Sequence, residues 1–269
     1  MIKIDTSKCV ACENCVSECQ NKLLVNQNGK IIACEEEKCI ACGHCVAVCP
    51  VQAISMSDYD MKEVVRVPQK EERIDPDRLL MAMKSRRSVR HFTEEKVEKR
   101  LLDQIVEAAR FAPTGANRQG VRFFLFTKQN HELTLLTLDT LVDALSERPP
   151  QIEEFYREYY RQRWTEMQYE YGKLDIDRLF YHAPAILVIA GNDKIDGALA
   201  AANAELMTYA LGLGACYIGF FEIAARTEKI RQYLNLNKEE EVFCCLAIGH
   251  PDVGFYNTVP RKKTQIEYR

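Results

Sequence analysis

What this chain lacks narrows what it can do. No apolar run approaches the length of a membrane span: the most apolar stretch, residues 198–225, is interrupted by Asn203, Glu205, Gly212 and Gly214. Neither sign of charge predominates, with 36 Lys and Arg against 39 Asp and Glu and a net charge of −3. No general attraction to nucleic acid or to an anionic membrane is therefore expected. Nothing resembles a secretory leader, which argues against a disulfide framework, and a soluble, cytoplasmic protein is expected. Histidine is scarce, five in 269 residues. Nothing singles out His91, His182 or His250, so each reads as structural and no residue is nominated as a catalytic acid or base.

Cysteine, by contrast, is abundant, with twelve in the chain. Eight fall in two runs near the start, Cys9, Cys12, Cys15, Cys19 and then Cys39, Cys42, Cys45, Cys49, the second followed by Pro50. Each run reads C-x2-C-x2-C-x3-C. Three thiolates spaced by two residues can wrap one iron–sulfur cube while the loop N–H groups point at the anionic cluster, and the fourth is carried away toward the other cube. Cys9, Cys12, Cys15 and Cys49 are therefore assigned to one cluster, and Cys39, Cys42, Cys45 and Cys19 to the other. Paired zinc sites would leave the third and fourth cysteines of each run unused. Residues 1–58 resemble the bacterial two-cluster ferredoxins across both halves of an internal repeat, which implies two [4Fe–4S] clusters. One departure is Gln20, where the family usually has a proline as at Pro50; it bears on the stiffness of that turn rather than on ligation. Cys34 lies outside both runs and is expected to be a small buried hydrophobe.

Residues 59–76 are charged, contain Pro68 and lack hydrophobic periodicity, which suits a linker. The remainder, 77–269, is long enough for one domain with its own core. Helices are expected at 77–84, with Asp75 as N-cap and Pro76 at the first position, and at 95–111, 131–145, 152–171, 196–213 and 223–233. Strands are expected at 121–127, 185–190 and 242–249, with 215–219 extended. The fold class is α+β, a layered domain following a ferredoxin-like one. In the helix at 152–171, Phe155, Tyr156, Tyr159, Tyr160, Trp164 and Met167 follow helical spacing and suit a buried face. Glu153, Arg157, Glu158, Arg161 and Arg163 read as its solvated side.

Four segments of this domain carry polar groups in a recurring order: SRRSVRHF, AARFAPTGANRQ, ALGLGACYIG, then AIGHP followed by VPRKK. Together they resemble the nitroreductase family of FMN-dependent oxidoreductases over essentially all of 77–269. The resemblance implies that Arg86 and Ser88, with Arg87 beside them, hold the FMN phosphate, completed by Arg261 and Lys263. It places Arg90 at the N1 edge of the ring, where a fixed cation stabilises the charge that reduction brings. Asn117 falls at the pyrimidine edge, and Tyr217, Ile218 and Gly219 pass beside N5. A backbone N–H or a water is expected there, since Gly219 stands where some members have glutamate. Cys216, Cys244 and Cys245 read as inert packing. Family members build paired active sites at a subunit interface, so a homodimer is implied, with 152–171 and 174–181 as a lid or dimer contact.

The function expected is transfer of electrons from an external low-potential donor through the clusters to FMN and on to a small-molecule acceptor such as a nitroaromatic or a quinone. Two rivals stay open at this point. One is a redox carrier or sensor that relays electrons to a partner protein. The other keeps the clusters while the second domain binds no flavin.

Overall fold

In the N-terminal part of the chain, local turns do more of the shaping than long elements. The computed structural model describes residues 2–68 and 73–269. The chain separates into two units, Met1–Arg73 with Gly115–Arg118, and Ile74–Thr114 with Gln119–Arg269. In the first, strand β1 (Ile2–Ile4) pairs antiparallel with β4 (Ile54–Met56), and β2 (Leu24–Gln27) forms a hairpin with β3 (Lys30–Ala33). Two short helices, α1 (Asn14–Glu18) and α2 (His44–Ala47), each bury one cysteine, Cys15 and Cys45.

The backbone repeats along with the cysteines. Ala11 and Ala41, Glu13 and Gly43, and Lys22 and Gln52 all take φ between 51° and 72°. The turn after each fourth cysteine has one form: the Lys22 N–H donates to the Cys19 carbonyl at 2.9 Å, and the Gln52 N–H to that of Cys49 at 3.3 Å. Gln20 thus sustains the turn that Pro50 makes in the second half. The buried core is small: Ile2, Leu24, Ile31 and Ile54 cluster with Cys15 and Cys45, and Leu23, Ala53 and Met56 are buried as well. Of the expected linker, Met61–Glu63 forms one 3-10 turn capped by Asp60, and residues 69–72 lie outside the described residues.

The second unit is a sheet between two helical layers. Its strands, β5 (Arg122–Phe126), β6 (Ala185–Gly191), β7 (Gly214–Tyr217) and β8 (Glu241–Gly249), are arranged β5-β6-β8-β7 and are antiparallel throughout. Every residue of β6 is buried, because alternate side chains enter two different cores. Ile186 and Val188, with Cys245 and Ala247, face the layer of α5 (Asn130–Glu147), α6 (Glu154–Leu174), α8 (Gly219–Ala224) and α9 (Glu228–Tyr233). Ala185, Leu187 and Ile189, with Leu246 and Ile248, face α4 (Lys99–Arg110) and α7 (Lys194–Ala210). Among the described residues no helix is long and apolar enough to cross a membrane.

Helix ends follow their chemistry. Asp75 caps α3 (Pro76–Ser85), accepting the Arg78 N–H at 2.8 Å, and Pro76 occupies its first turn. Helix α7 closes on Gly212, whose φ of 75° lets its N–H reach the Tyr209 carbonyl and that of Leu213 reach Thr208, both at 3.0 Å. Three expectations need correction. Helix α4 begins at Lys99 rather than at residue 95, since residues 95–98 stay outside it and the Glu95 N–H turns back to the Thr93 hydroxyl at 3.4 Å. Gly219 is not extended but opens α8. The single helix expected at 223–233 is two, α8 and α9, parted where Thr227 takes β-region backbone and its hydroxyl donates to the Ala224 carbonyl at 2.7 Å.

Candidate functional site

In the first unit Cys9, Cys12, Cys15 and Cys49 line one cavity, walled in part by Ile4 and Ile54. The last cysteine of the second run therefore lies with the first three of the first. Burial pushes the Cys15 thiol up, and the sulfurs of Cys12 and Cys49 add to the effect. Burial likewise pushes Cys45 up to about 11, with Cys42, Cys39 and Cys15 as charged neighbours. Crowded sulfurs of this kind become thiolates only against a cationic core, which the iron of a cluster supplies. The fourth cysteines also accept backbone hydrogen bonds, Cys19 Sγ from Leu23 N–H at 3.3 Å and Cys49 Sγ from Ala53 N–H at 3.2 Å. Such bonds tune a cluster by stabilising charge on its sulfur ligands. Cys12 and Cys42 are exposed, giving each set an edge toward solvent, while Cys34 is half-buried rather than buried.

In the second unit the segment SRRSVR runs beside the edge strand β7. The Val89 N–H donates to the Ala215 carbonyl at 2.9 Å, and Ser88 bridges Ala215 in parallel. Gly214 permits this approach, since a Cβ there would lie 2.6 Å from a Val89 methyl. Arg86 Nη1 pairs with Glu205 Oε1 of α7 at 2.5 Å, beside a cavity also lined by Ser85, Arg87, Tyr209 and Phe255. Burial holds the Glu205 carboxyl above the usual carboxylate range, and Arg86 pulls it back. Burial also pushes the Tyr217 phenol far up, with Glu205 and Arg86 among its charged neighbours.

Cys216, the next residue along the pleat, has other company. Its thiol is pushed up by burial, with Arg90 and Ser88 pulling it back, and burial likewise pushes the Tyr181 phenol up, against the pull of Arg90 and Arg163 of α6. Arg87 donates to the Lys84 carbonyl, and its Nε is buried with no partner among the described residues. Ile218 is buried, its N–H donating to the Cys245 carbonyl at 2.8 Å. The first N–H groups of α8, opened by Gly219, have no intrahelical acceptor.

Not every expected residue joins this group. Asn117 counts with the first unit, where its Nδ2 donates to the Ala41 carbonyl at 2.8 Å. Arg261 and Lys263 lie exposed in a C-terminal stretch without regular structure. Of the supposed solvated face of α6, Arg157 is only 7% exposed and donates to the carbonyls of Pro149 and Ile152, so that assignment is corrected. The aromatic face of α6 is buried as expected at Trp164 and Met167, but Phe155 and Tyr159 are 65% and 69% exposed, so the expected buried face is corrected to its C-terminal part. Tyr160 and Trp164 meet the Phe220 ring edge-on, with centroids 4.9 and 6.2 Å away. Glu205 and Tyr181 went unnoticed as site residues. The one available signal was a carboxylate interrupting an otherwise apolar helix.

The model of the nitroreductase family matches residues 83–250, more than half of the chain. The chain belongs to the nitroreductase family. A 4Fe-4S dicluster domain model matches residues 1–68. As a nitroreductase the chain is an FMN-dependent oxidoreductase, and its N-terminal domain is of the type that carries [4Fe–4S] clusters. It is 26% identical over 191 residues to 4-nitrobenzoate reductase of Pseudomonas putida, covering 62% of this chain and 83% of that one. Two solved nitroreductases with bound FMN share the fold. That from Bacteroides fragilis has a TM-score of 0.53 at 21% identity, covering 71% of this chain and 98% of that one. That from Desulfitobacterium hafniense has a TM-score of 0.54 at 24% identity, covering 70% and 98%.

The residues present fit both groups. Four cysteines from two runs meet at one cavity. Beside β7 stand an unsatisfied guanidinium nitrogen of Arg87 and the neighbouring Ser88 hydroxyl, both suited to a phosphate. A Cβ at Gly219 would meet nothing within 4 Å, leaving open space along the backbone there.

Proposed function

We propose that this nitroreductase passes electrons from its two [4Fe–4S] clusters to FMN and on to a small acceptor, a nitroaromatic or a quinone. The observation that carries the reading is the presence of a dicluster domain and a nitroreductase domain in one polypeptide. Bound FMN supplies the chemistry of taking electrons singly and giving them as a pair. The chain's own residues supply anchorage and charge. Cys9, Cys12, Cys15 and Cys49 hold one cluster; Cys39, Cys42, Cys45 and Cys19 hold the other. Arg86, Arg87 and Ser88, with Arg261 and Lys263, hold the phosphate, and Arg90 offers a cation to the reduced ring. Tyr217, Ile218 and Gly219 supply the backbone beside it.

The electron source is an external low-potential donor, and the protein works in the cytoplasm as a homodimer. Two features support a second copy: α3 buries no residue while exposing Leu80, Met81 and Met83, and Tyr256 and Tyr268 of the C-terminal stretch are 94% and 91% exposed. The name of the Pseudomonas putida relative supports a nitrobenzoate as acceptor.

The test is anaerobic iron and flavin quantitation followed by reduction with a low-potential donor and with NADH. About eight irons and one FMN per chain are expected, with flavin reduction by the low-potential donor outpacing that by NADH. Rapid reduction by NADH alone would reverse the proposed direction. Fast flavin reduction without turnover of any nitroaromatic or quinone would favour a carrier over an enzyme.

A further inference from the structure

The two halves of the first unit repeat each other down to the backbone, and they part company at one loop. Between the first two cysteines of each run stand an apolar residue and a left-handed alanine, Val10 and Ala11 in the first, Ile40 and Ala41 in the second, the alanines at φ of 51° and 52°. Val10 is 62% exposed, and the Ala11 carbonyl accepts no hydrogen bond among the described residues. The second loop is covered. Its Ala41 carbonyl accepts from two donors, the Tyr59 hydroxyl and Asn117 Nδ2, both at 2.8 Å. The same Nδ2 lies 3.3 Å from the Ile40 carbonyl and 3.4 Å from the Tyr59 oxygen, which closes the group.

Neither donor comes from the repeat itself. Tyr59 follows β4, and Asn117 stands in the four residues, Gly115–Arg118, that count with the first unit although the chain up to Thr114 and from Gln119 counts with the second. This short excursion carries strain: Ala116 and Asn117 take φ of 50° and 54° in succession, and the Arg118 N–H returns to the Gly115 carbonyl at 3.1 Å. Alanine gains nothing from left-handed backbone, which persists only where the surroundings impose it. On both sides of Asn117 the chain continues by covalent bonds into the nitroreductase domain.

A hydrogen bond given to a carbonyl polarises the whole peptide and strengthens the N–H at its other end. For the Ala41 carbonyl that end is the Cys42 N–H, and for the Ile40 carbonyl it is the Ala41 N–H, both in a loop of the kind whose N–H groups serve an anionic cluster. Reduction adds one negative charge, so stronger donors favour the reduced form and raise its potential. The first run, with its bare carbonyl, has no such help.

We infer that Asn117 and Tyr59 set the second-run cluster at the higher potential of the pair, and so make it the exit through which electrons leave the N-terminal unit. Both act through a peptide and are positioning residues. The transfer they direct is of one electron: the cluster of Cys9, Cys12 and Cys15 is oxidised as that of Cys39, Cys42 and Cys45 is reduced, with no bond or proton changing hands. The inference rests on the proposed flow from clusters to flavin and adds the order of the two clusters.

The test is a potentiometric titration of the anaerobic holoprotein followed by electron paramagnetic resonance, which reads each reduced cluster without an acceptor or turnover. The wild type is expected to show two one-electron waves. Asn117→Ala should lower the upper wave alone, by about tenfold in the electron's partition between the clusters, the scale of one hydrogen bond, which is about 59 mV for a one-electron couple. Tyr59→Phe, which removes only a hydroxyl, should lower the same wave by less, and it decides the matter should Asn117→Ala lose iron. Coincident waves in the wild type, a shift of the lower wave instead, an equal shift of both, or no shift of either would overturn the inference. Faster flavin reduction by NADH than by the low-potential donor would reverse the flow and leave these potentials where they are, so failure of the proposed function and failure of the Asn117 clamp are read separately.

Discussion

The two units of this chain are held together by opposite means. The first has only a small set of buried apolar side chains gathered around Cys15 and Cys45, and its turns are set by repeated left-handed residues around the sulfurs. The second buries both faces of a sheet, with Trp164, Phe180 and Phe221 almost wholly enclosed. A unit of the first kind lacks the apolar area to stand alone and is completed by what its cysteines bind. A unit of the second kind is closed by its own side chains and can offer its polar groups to a cofactor at the margin.

The largest effect should come from removing the iron. Chelation is expected to abolish the protection of amides throughout residues 2–56 while the second unit keeps its thermal transition; hydrogen exchange and calorimetry check this. Loss of both transitions would mean that the second unit leans on the first. Next, Trp164→Ala should cost the second unit about 3–5 kcal/mol with cluster absorbance unaltered, as followed by denaturant unfolding at two wavelengths.

Asp177→Ala leaves three N–H groups without their acceptor and is expected to cost about 2–3 kcal/mol, read as a lowered Tm of the second unit alone. Arg86→Ala deprives the nearly buried Glu205 of its partner, at about 1–3 kcal/mol, and should weaken FMN retention with the clusters intact. Its pH dependence has a definite sign. Glu205 holds its proton more tightly folded than unfolded, so stability falls as pH rises through and above the ordinary carboxylate range. Without Arg86 that fall deepens and extends upward, and the variant should lose more at pH 8 than at pH 5. The smallest effect tests the repeat itself: Gln20→Pro should stabilise the first unit by about 0.4–1 kcal/mol, because the turn already has the form of that at Pro50; a destabilised variant would show that the halves differ.

The two cysteine runs were legible in the sequence because spacing is a local property, each run being written within eleven residues of chain. Strand β6 and helix α5 were legible for a similar reason, their apolar patterns being long and uninterrupted. The break between α8 and α9 was not, because Arg226 and Thr227 fit a helical pattern, and what parts the helices is a tightened turn in which the Thr227 N–H and hydroxyl both donate to the Ala224 carbonyl. The charged face of α6 misled as well, since composition does not tell which arginine will find carbonyls across a turn. Tyr181 was invisible for a deeper reason. Its placement depends on a carboxylate four residues earlier gathering the N–H groups of its neighbours, which no local pattern announces.

The crossing of Cys49 ties the second half of the N-terminal unit to the first. Since Cys49 sits among the cysteines of the first run, the second half carries the strut that closes the first, and it could not be trimmed away and leave a working remainder. Duplication can build such an object only if both copies are kept, and once built it is inherited whole.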